Sequence, residues 1–478
     1  MQTRRVDVAV IGAGTAGLNA RRAAEKAGAE ALLIESGPYG TTCARVGCMP
    51  SKLLIAAAEA AHEVAHAPFF GVEVPQPARV NGRAVLERVR KERDRFVGFV
   101  VESTEMVPEP LRLRGRARFV GPTTLEVDDQ TRVEAKTVVI AAGSSPEMPA
   151  AFDAVRDAVL TNDDVFELED LPESVAVIGT GVVALELGQA LHRLGVRTTI
   201  FGRSDRVGPA TDPAIQESVR SVLGAELTLR LQSELSVARD PSGGVRVAWR
   251  TKDGRSGDER FERVIAAAGR RPNLAGLELA KAGLELDRRG VPVYDKRTMQ
   301  CGDAPIFLAG DASADRALLH EAADEGRIAG ANAATYPDVR AHPRRTPLAI
   351  VFTHPEIALA GARFADLELA SIEIGEVFWE DQGRARVMGR NAGLTRLYAD
   401  RECGTLVGAE MFGPRVEHTA HLLAWAIQER LTVERALENP FYHPVIEEGI
   451  QTALRDLQAQ LKLAPPRRPE DLECGPGN

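Results

Sequence analysis

Val6-Asp-Val-Ala-Val-Ile-Gly12-Ala-Gly14-Thr-Ala-Gly17 decides the fold. Its first six residues read as a buried strand. Gly12 to Gly17 has Gly-x-Gly-x-x-Gly spacing, and a helical run follows to about Ala27. Ala31-Leu-Leu-Ile34 is the next strand, ending at Glu35. Gly12 allows a tight turn, Gly14 lets the backbone approach a pyrophosphate, and Gly17 lets helix and strand pack closely. The helix N-terminus turns free amides and the positive end of its dipole towards phosphate. Glu35 is placed to bind ribose hydroxyls. The order strand, glycine turn, helix, strand, acid predicts a dinucleotide site in a parallel α/β unit.

The pattern recurs. Val175-Ala-Val-Ile178 precedes Gly179-Thr-Gly181-Val-Val-Ala184, a helix is expected to about Leu194, and Arg197–Phe201 is the next strand. Two sites imply two cofactors. One of them could be vestigial, but both keep their glycines. Glu35 lies 23 residues after Gly12, and the same count from Gly179 reaches Gly202, followed by Arg203. The second site therefore lacks the acid for a ribose 2′-hydroxyl. Arg203 offers a guanidinium for a 2′-phosphate, which tilts this site towards NADP. The competing reading is an ordinary solvated arginine.

Gly40-Thr-Thr-Cys43-Ala-Arg-Val-Gly-Cys48-Met-Pro-Ser-Lys52 follows the first site and carries two cysteines five positions apart. In a regular helix five residues rise about 7.5 Å. A disulfide needs its Cα atoms within roughly 7 Å. If Cys43 and Cys48 pair, the backbone must be distorted and the bond reactive. Two free core thiols or two metal ligands are the alternatives. The spacing is not Cys-x-x-Cys, and no second pair stands at zinc-ligand spacing. Beside a bound cofactor, the pair points to thiol–disulfide redox chemistry.

A chain of 478 residues is too long for one core. With a net charge of −9 and no basic block, nucleic acid and anionic membranes are not expected partners. No apolar stretch is long enough to span a bilayer. Met1-Gln-Thr-Arg-Arg5 runs into a strand with no signal-peptide core. A soluble cytoplasmic protein is expected. Five cysteines in this length do not make a disulfide scaffold.

With both sites and the cysteine segment in view, the chain resembles the class I pyridine nucleotide-disulfide oxidoreductases. It is most similar to the dihydrolipoamide dehydrogenase branch, with glutathione and mercuric reductases as relatives. Gly40–Lys52 resembles the redox-disulfide motif, with Thr41 where a second glycine is usual. Val139-Ile-Ala-Ala-Gly143-Ser resembles the close of the first FAD subdomain, and Ala268-Gly269-Arg270-Arg-Pro-Asn273 the return from the nucleotide domain. Ile306-Phe-Leu-Ala-Gly310-Asp311 resembles the second FAD motif, and Leu319-His320 the flavin-edge segment. Pro347–Ala358 resembles the start of the dimerisation domain. Asn439-Pro-Phe-Tyr-His443-Pro-Val-Ile-Glu-Glu448 resembles the His-Pro-x-x-x-Glu element, whose histidine reaches the partner subunit's disulfide in relatives.

The resemblance implies an α/β, glutathione reductase-like fold: two Rossmann-like dinucleotide-binding domains (FAD and NAD(P)) plus a C-terminal α+β dimerisation domain. The expected divisions are 1–149 for FAD, 150–269 for NAD(P), 270–345 for a central FAD-contacting segment and 346–478 for the interface. Cofactor contacts are expected at Gly12, Gly14, Gly17, Glu35, Thr42, Lys52, Gly143, Gly269, Arg270, Gly310, Asp311, Leu319 and His320, and at Gly179, Gly181, Ala184 and Arg203 in the second site. Catalysis is expected from Cys43, Cys48, His443 and Glu448, with Lys52 and Glu186 beside the flavin. The implied protein is a homodimer oxidising a lipoylated carrier protein or free dihydrolipoamide. The rivals are an NADPH-dependent disulfide reductase and a flavin-bearing redox sensor. Cys301 and Cys403 read as ordinary thiols and Cys474 as incidental. His62, His66, His354 and His418 show no ligand spacing, so no metal site is assigned.

Overall fold

The computed structural model describes residues 1–74 and 79–462. Cys474 lies outside the described residues. The chain forms two compact units.

The first unit comprises Met1–Ala56, Asn81–Leu171 and Ala266–Arg344. The strand Gln2–Ile11 pairs in parallel with Ala31–Glu35 on one side and Thr131–Ile140 on the other. Arg112–Arg114 and Ile306–Leu308 extend this parallel layer in either direction. Val8, Ala9, Val10 and Val138–Ile140 are fully buried, as unbroken apolar runs must be in a sheet covered on both faces. The strand Thr131–Ile140 changes role midway. Its first residues alternate buried and half-exposed, and pair antiparallel with Thr124–Val127.

The helix Thr15–Lys26 crosses the helix Leu319–Thr335 at backbone contact. A Cβ on Gly326 would sit 2.2 Å from the Ala16 carbonyl oxygen, and one on Gly330 would sit 2.0 Å from that of Ala20. Only glycine permits so close an approach.

The second unit comprises Ala57–Val80, Pro172–Ile265 and Arg345–Asn478, described here to residue 462. Ser174–Ile178, Arg197–Phe201 and Thr228–Arg230 pair in parallel. Ser233–Arg239, Val245–Thr251 and Ser256–Phe261 form an antiparallel sheet. A five-stranded sheet runs in the order Leu348–Val351, Glu356–Gly361, Leu406–Gly413, Leu394–Asp400, Ile372–Phe378. The helices Val416–Gln428 and Glu448–Gln460 share its core, around Trp379, Met411, Leu423 and Leu457. Trp379 is fully buried and donates its indole N–H to Thr395 at 3.1 Å. Its ring fills the space beside Gly413 and Gly449. That contact pins the helix whose first residue is Glu448. Among the described residues no helix is long and apolar enough to cross a membrane.

Candidate active site

Gly12, with φ at +109°, turns the chain so that its N–H donates to the Ile34 carbonyl at 2.7 Å. A Cβ there would lie 2.2 Å from the Ala141 carbonyl oxygen. Gly14 caps the following helix and faces open space. The Glu35 carboxylate accepts the Ala13 N–H at 2.7 Å and the Gly37 N–H at 2.6 Å, so it is held at the strand end. Gly12, Gly14, Glu35, Thr42, Gly143 and Arg270 line one cavity of about 610 Å³. Gly17 stands behind it, where a Cβ would collide with the Gly12 carbonyl oxygen at 1.8 Å.

A side-chain chain runs from Gly310-Asp311 towards the cysteine segment. Asp311 accepts from the Ser144 hydroxyl at 2.7 Å, and Ser144 accepts from Arg270 Nε at 2.9 Å. Arg270 also donates to Asn162 at 3.2 Å, and Asn162 donates to the Val46 carbonyl at 2.9 Å. The neighbouring Gly310 N–H donates to Glu325 at 2.8 Å, and Arg344 bridges Glu325 and Glu321. Burial pushes the Glu325 carboxyl upwards, against the pull of Arg344. Gly269, at φ +135°, opens the short strand Arg270–Pro272 that pairs with Ser144–Pro146. Asn162, Asp163 and Arg45 were not legible in the sequence. Asp163 and Arg45 line the cavity, and Asn162 joins the chain of bonds. No local motif marks them, since packing alone brings them there. Leu319 and His320 begin an exposed helical turn and do not line this cavity.

The cysteine segment is not a regular helix. Thr42–Val46 is one short helix and Cys48–His66 is another, with Gly47 between them at φ −120° and ψ −116°. At the break the backbone is tight, and a Cβ on Gly47 would meet Cys43 Cα at 3.2 Å. Cys43 and Cys48 are both thiols, with Cys43 half-buried and Cys48 exposed. A hydrogen bond to Cys48, then burial, push the Cys43 thiol far up, and the Lys52 ammonium opposes this weakly. Lys52 follows Cys48 by one helical turn, on the same face. Thr41 has φ +57° and ψ 151°, a region that only glycine occupies freely, and its hydroxyl caps the helix by accepting the Ala44 N–H at 3.3 Å.

The second unit repeats the turn. The Gly179 N–H donates to the Phe201 carbonyl at 2.8 Å, as Gly12 does to Ile34 at 2.7 Å. Gly181 caps the helix Val182–Arg193 and Ala184 is buried. Gly202 thus occupies the place of Glu35, and Arg203 beside it is exposed. Glu186 is 5% exposed and accepts the Phe352 N–H at 3.0 Å.

His443 Nδ1 and Glu448 Oε1 are 2.9 Å apart, and the second Glu448 oxygen accepts the Val445 N–H at 3.0 Å. The hydrogen bond from His443 holds the Glu448 carboxyl below its usual range. The histidine side chain is 82% exposed. His62, His66 and His354 lie together, with the His62 ring 6.0 Å from His66 and 6.1 Å from His354. Burial lowers His354 to about 3. Among the described residues no group of three His, Cys, Asp or Glu could hold a metal ion.

A nucleotide-binding turn ahead of a paired-cysteine segment, with a second such turn in the other unit, defines a two-nucleotide disulfide oxidoreductase. Residues 6–328 match the pyridine nucleotide-disulphide oxidoreductase family, and residues 348–454 match its dimerisation domain. The chain belongs to this family. It is an FAD-dependent enzyme that also binds NAD(P). It is 30% identical to a dihydrolipoyl dehydrogenase of Bacillus subtilis over 94% of this chain and 97% of the relative. It is 28% identical to a mercuric reductase of Staphylococcus aureus, over 94% of this chain and 81% of that one. The fold is shared with the HOCl-induced flavoprotein disulfide reductase RclA from Escherichia coli, with a TM-score of 0.77, 20% identity, and coverage of 94% and 99%.

Proposed function

We propose that this enzyme is a dihydrolipoyl dehydrogenase acting as a homodimer. It would oxidise a dihydrolipoyl group, on a lipoylated carrier or free, and reduce NAD(P)+. The observation that carries this reading is the His443–Glu448 pair, a base with its orienting carboxylate on an otherwise open histidine. A histidine so exposed lacks the walls a proton-transfer site needs, and a partner subunit would supply them. The curated relatives named as dihydrolipoyl dehydrogenases support the substrate class.

The chemistry follows from the residues. His443 takes a proton from a substrate thiol, because the thiolate is the nucleophile. Glu448 fixes the ring through Nδ1 and leaves Nε2 for that proton. With the cysteines joined as a disulfide, the substrate thiolate attacks Cys43 Sγ, the Cys43–Cys48 bond breaks and Cys48 leaves as thiolate. The second substrate thiol attacks the substrate sulfur in the mixed disulfide, closing the ring and releasing Cys43. In the dithiol form the hydrogen bond to Cys48, then burial, keep the proton on Cys43. Lys52, one turn away, and the buried Glu186 are the proposed charge partners at the flavin. Bound FAD would carry the electron pair from the dithiol to NAD(P)+. The glycine turn, Glu35 and Arg270, which line the cavity, would hold it, with Asp311 bonded to the lining Ser144. The sum is one dithiol plus NAD(P)+ giving one disulfide, NAD(P)H and a proton.

The test is steady-state oxidation of dihydrolipoamide by the purified flavoprotein, with NAD+ and NADP+ in parallel. Fast flux that disappears in Cys43→Ser supports the proposal. Absent flux with brisk NADPH oxidation by a small disulfide would replace it with the reductase reading.

A further inference from the structure

The two glycine turns are held in different ways. In the first, the Glu35 carboxylate at the end of the next strand accepts the Ala13 N–H at 2.7 Å. In the second, Gly202 stands at the place of Glu35 and Thr180 at the place of Ala13. A Cβ on Gly202 would lie 2.7 Å from Thr180 Cγ2 and 3.2 Å from Leu231 Cδ2. Thr180 is held by the segment that follows Gly202 instead. Its hydroxyl donates to the Arg206 carbonyl at 2.7 Å, and its carbonyl accepts the Gly208 N–H at 2.8 Å.

That segment is in turn anchored from the dimerisation domain, within one compact unit. The buried Gln216 accepts the Val207 N–H at 2.9 Å and donates to the Val207 and Ala210 carbonyls, both at 2.9 Å. Asp212 caps the helix Pro213–Glu226 that carries Gln216, accepting the Ala214 N–H at 2.8 Å. Glu410, on the strand Leu406–Gly413, closes the end of the segment. Its Oε2 accepts the N–H groups of Thr211 at 2.6 Å and Asp212 at 2.8 Å. Its Oε1 accepts the Thr211 hydroxyl at 2.6 Å and the Phe364 N–H at 3.0 Å. Arg396, directly opposite Glu410 on the neighbouring strand, donates to both Asp212 oxygens at 2.9 Å, and the Tyr398 hydroxyl donates to Asp212 at 2.9 Å. Gly208 lies against the same sheet, where a Cβ would be 2.8 Å from Ile357 Cδ1.

Asp212 and Glu410 are fully buried, and Glu410 interrupts a strand that is otherwise apolar. A buried ionic group adds little stability over a well-packed apolar core. What this carboxylate contributes is geometry, since it fixes four donors at once and three of them belong to Thr211-Asp212.

We infer that Glu410 is a positioning residue for the second dinucleotide site. From the dimerisation sheet it fixes Thr211-Asp212, and through Gln216 and residues 206–208 it fixes the turn Gly179–Gly181. This rests on the reading of that turn as the NAD(P) turn and does not depend on which dithiol or disulfide is the substrate.

The test is anaerobic stopped-flow bleaching of the FAD-loaded enzyme by NADPH and by NADH, beside bleaching by dihydrolipoamide. The concentration dependence separates the nucleotide Kd from the limiting rate. A carboxamide has one acceptor oxygen, so Glu410→Gln turns its –NH2 onto donors that lose their partner. It should raise the Kd of the preferred nucleotide about 10-fold, the worth of one hydrogen bond to a charged group, and leave the limiting rate and flavin content within about 2-fold. Thr211→Val keeps the shape, loses one of the three bonds, and should raise Kd about 3-fold. Amide exchange across 206–212 should quicken in both variants. If Glu410→Gln fails to fold, Thr211→Val decides, and an unchanged Kd there overturns the inference. So does an unchanged Kd in folded Glu410→Gln, or an equal slowing of bleaching by nucleotide and by dihydrolipoamide, which marks a merely structural role. Weakened nucleotide binding in Glu410→Gln, with no bleaching of wild type by dihydrolipoamide, would uphold the inference and sink the lipoyl reading. Brisk bleaching by dihydrolipoamide with an unchanged nucleotide Kd would do the reverse.

Discussion

His443 Nδ1 and Glu448 Oε1 stand 2.9 Å apart, joined across the start of the helix Glu448–Gln460. The carboxylate is held from both sides, by the imidazole and by the Val445 N–H. Base and orienter therefore form one local unit, whose position depends on the Trp379–Gly449 contact. Replacing His443 by Ala should lower kcat/KM by about 100- to 10,000-fold, the usual worth of a general base. Glu448→Gln should cost less, because it leaves a hydrogen-bonding group in place. Since the Glu448 carboxyl sits below its usual range, its charge and the support it gives persist above about pH 4.5 and are lost on further acidification. A pH–rate profile that changes between pH 6 and 8 in the same way in wild type and Glu448→Gln would contradict this role.

Thr41 holds a backbone conformation at φ +57° and ψ 151° that suits glycine. Strain of this kind costs on the order of 1–3 kcal/mol. The Ala44 cap returns little of it, because replacing a threonine cap with glycine costs only about a few tenths of a kcal/mol. Thr41→Gly should therefore stabilise the protein by about 1 kcal/mol. Thermal unfolding of the FAD-loaded form decides it, and a lower midpoint would show that the hydroxyl does more than cap.

Gly14 and Gly17 should respond differently to the same substitution. A methyl on Gly17 would lie 1.8 Å from the Gly12 carbonyl oxygen, so Gly17→Ala must push helix and strand apart and destabilise the first unit. A methyl on Gly14 meets nothing within 4 Å. Gly14→Ala should fold normally and lose FAD affinity, as the closest approach to the pyrophosphate is blocked. Far-UV circular dichroism with flavin content separates the two. Normal flavin content in Gly14→Ala would remove that glycine from the binding site.

Glu356 and His354 oppose each other in the pH dependence of stability. Burial raises the Glu356 carboxyl to about 7 although it accepts the Glu417 N–H at 2.9 Å. Its contribution is full below about pH 4.5 and falls away as pH rises to 7, by up to ~3 kcal/mol. Burial of His354 has the opposite slope, with stability present above about pH 6.5 and lost as pH falls towards 3. Glu356→Gln should flatten the loss between pH 4.5 and 7 and raise stability at pH 8. Denaturant unfolding across that range checks the sign. A variant less stable than wild type at pH 8 would mean that the cap to Glu417 outweighs the burial of charge.

Features whose physics is local could be read from the residues alone. The glycine turns at Gly12 and Gly179 work through their own backbone angles and neighbouring amides. Glu35 acts within its own βαβ unit, and His443 and Glu448 lie five residues apart inside one short element that the family resemblance marks. The cysteine spacing called for a distorted backbone if the two cysteines pair, and the helix does break between them at Gly47. What depends on distant segments meeting was visible only in the folded chain. Ser144 finds Asp311 from 167 residues away and Arg270 finds Ser144 from 126, so no window of sequence contains the chain of bonds that links them. Arg45, Asn162 and Asp163 carry no motif and reach their places through the packing of the first unit. The absence of an acid after Phe201 was legible, but the close packing of Thr180 and Leu231 around Gly202 was not. Thr180 lies beside Gly202 with its hydroxyl bonded to the Arg206 carbonyl, a placement set by the assembled packing rather than by any residue's own propensity.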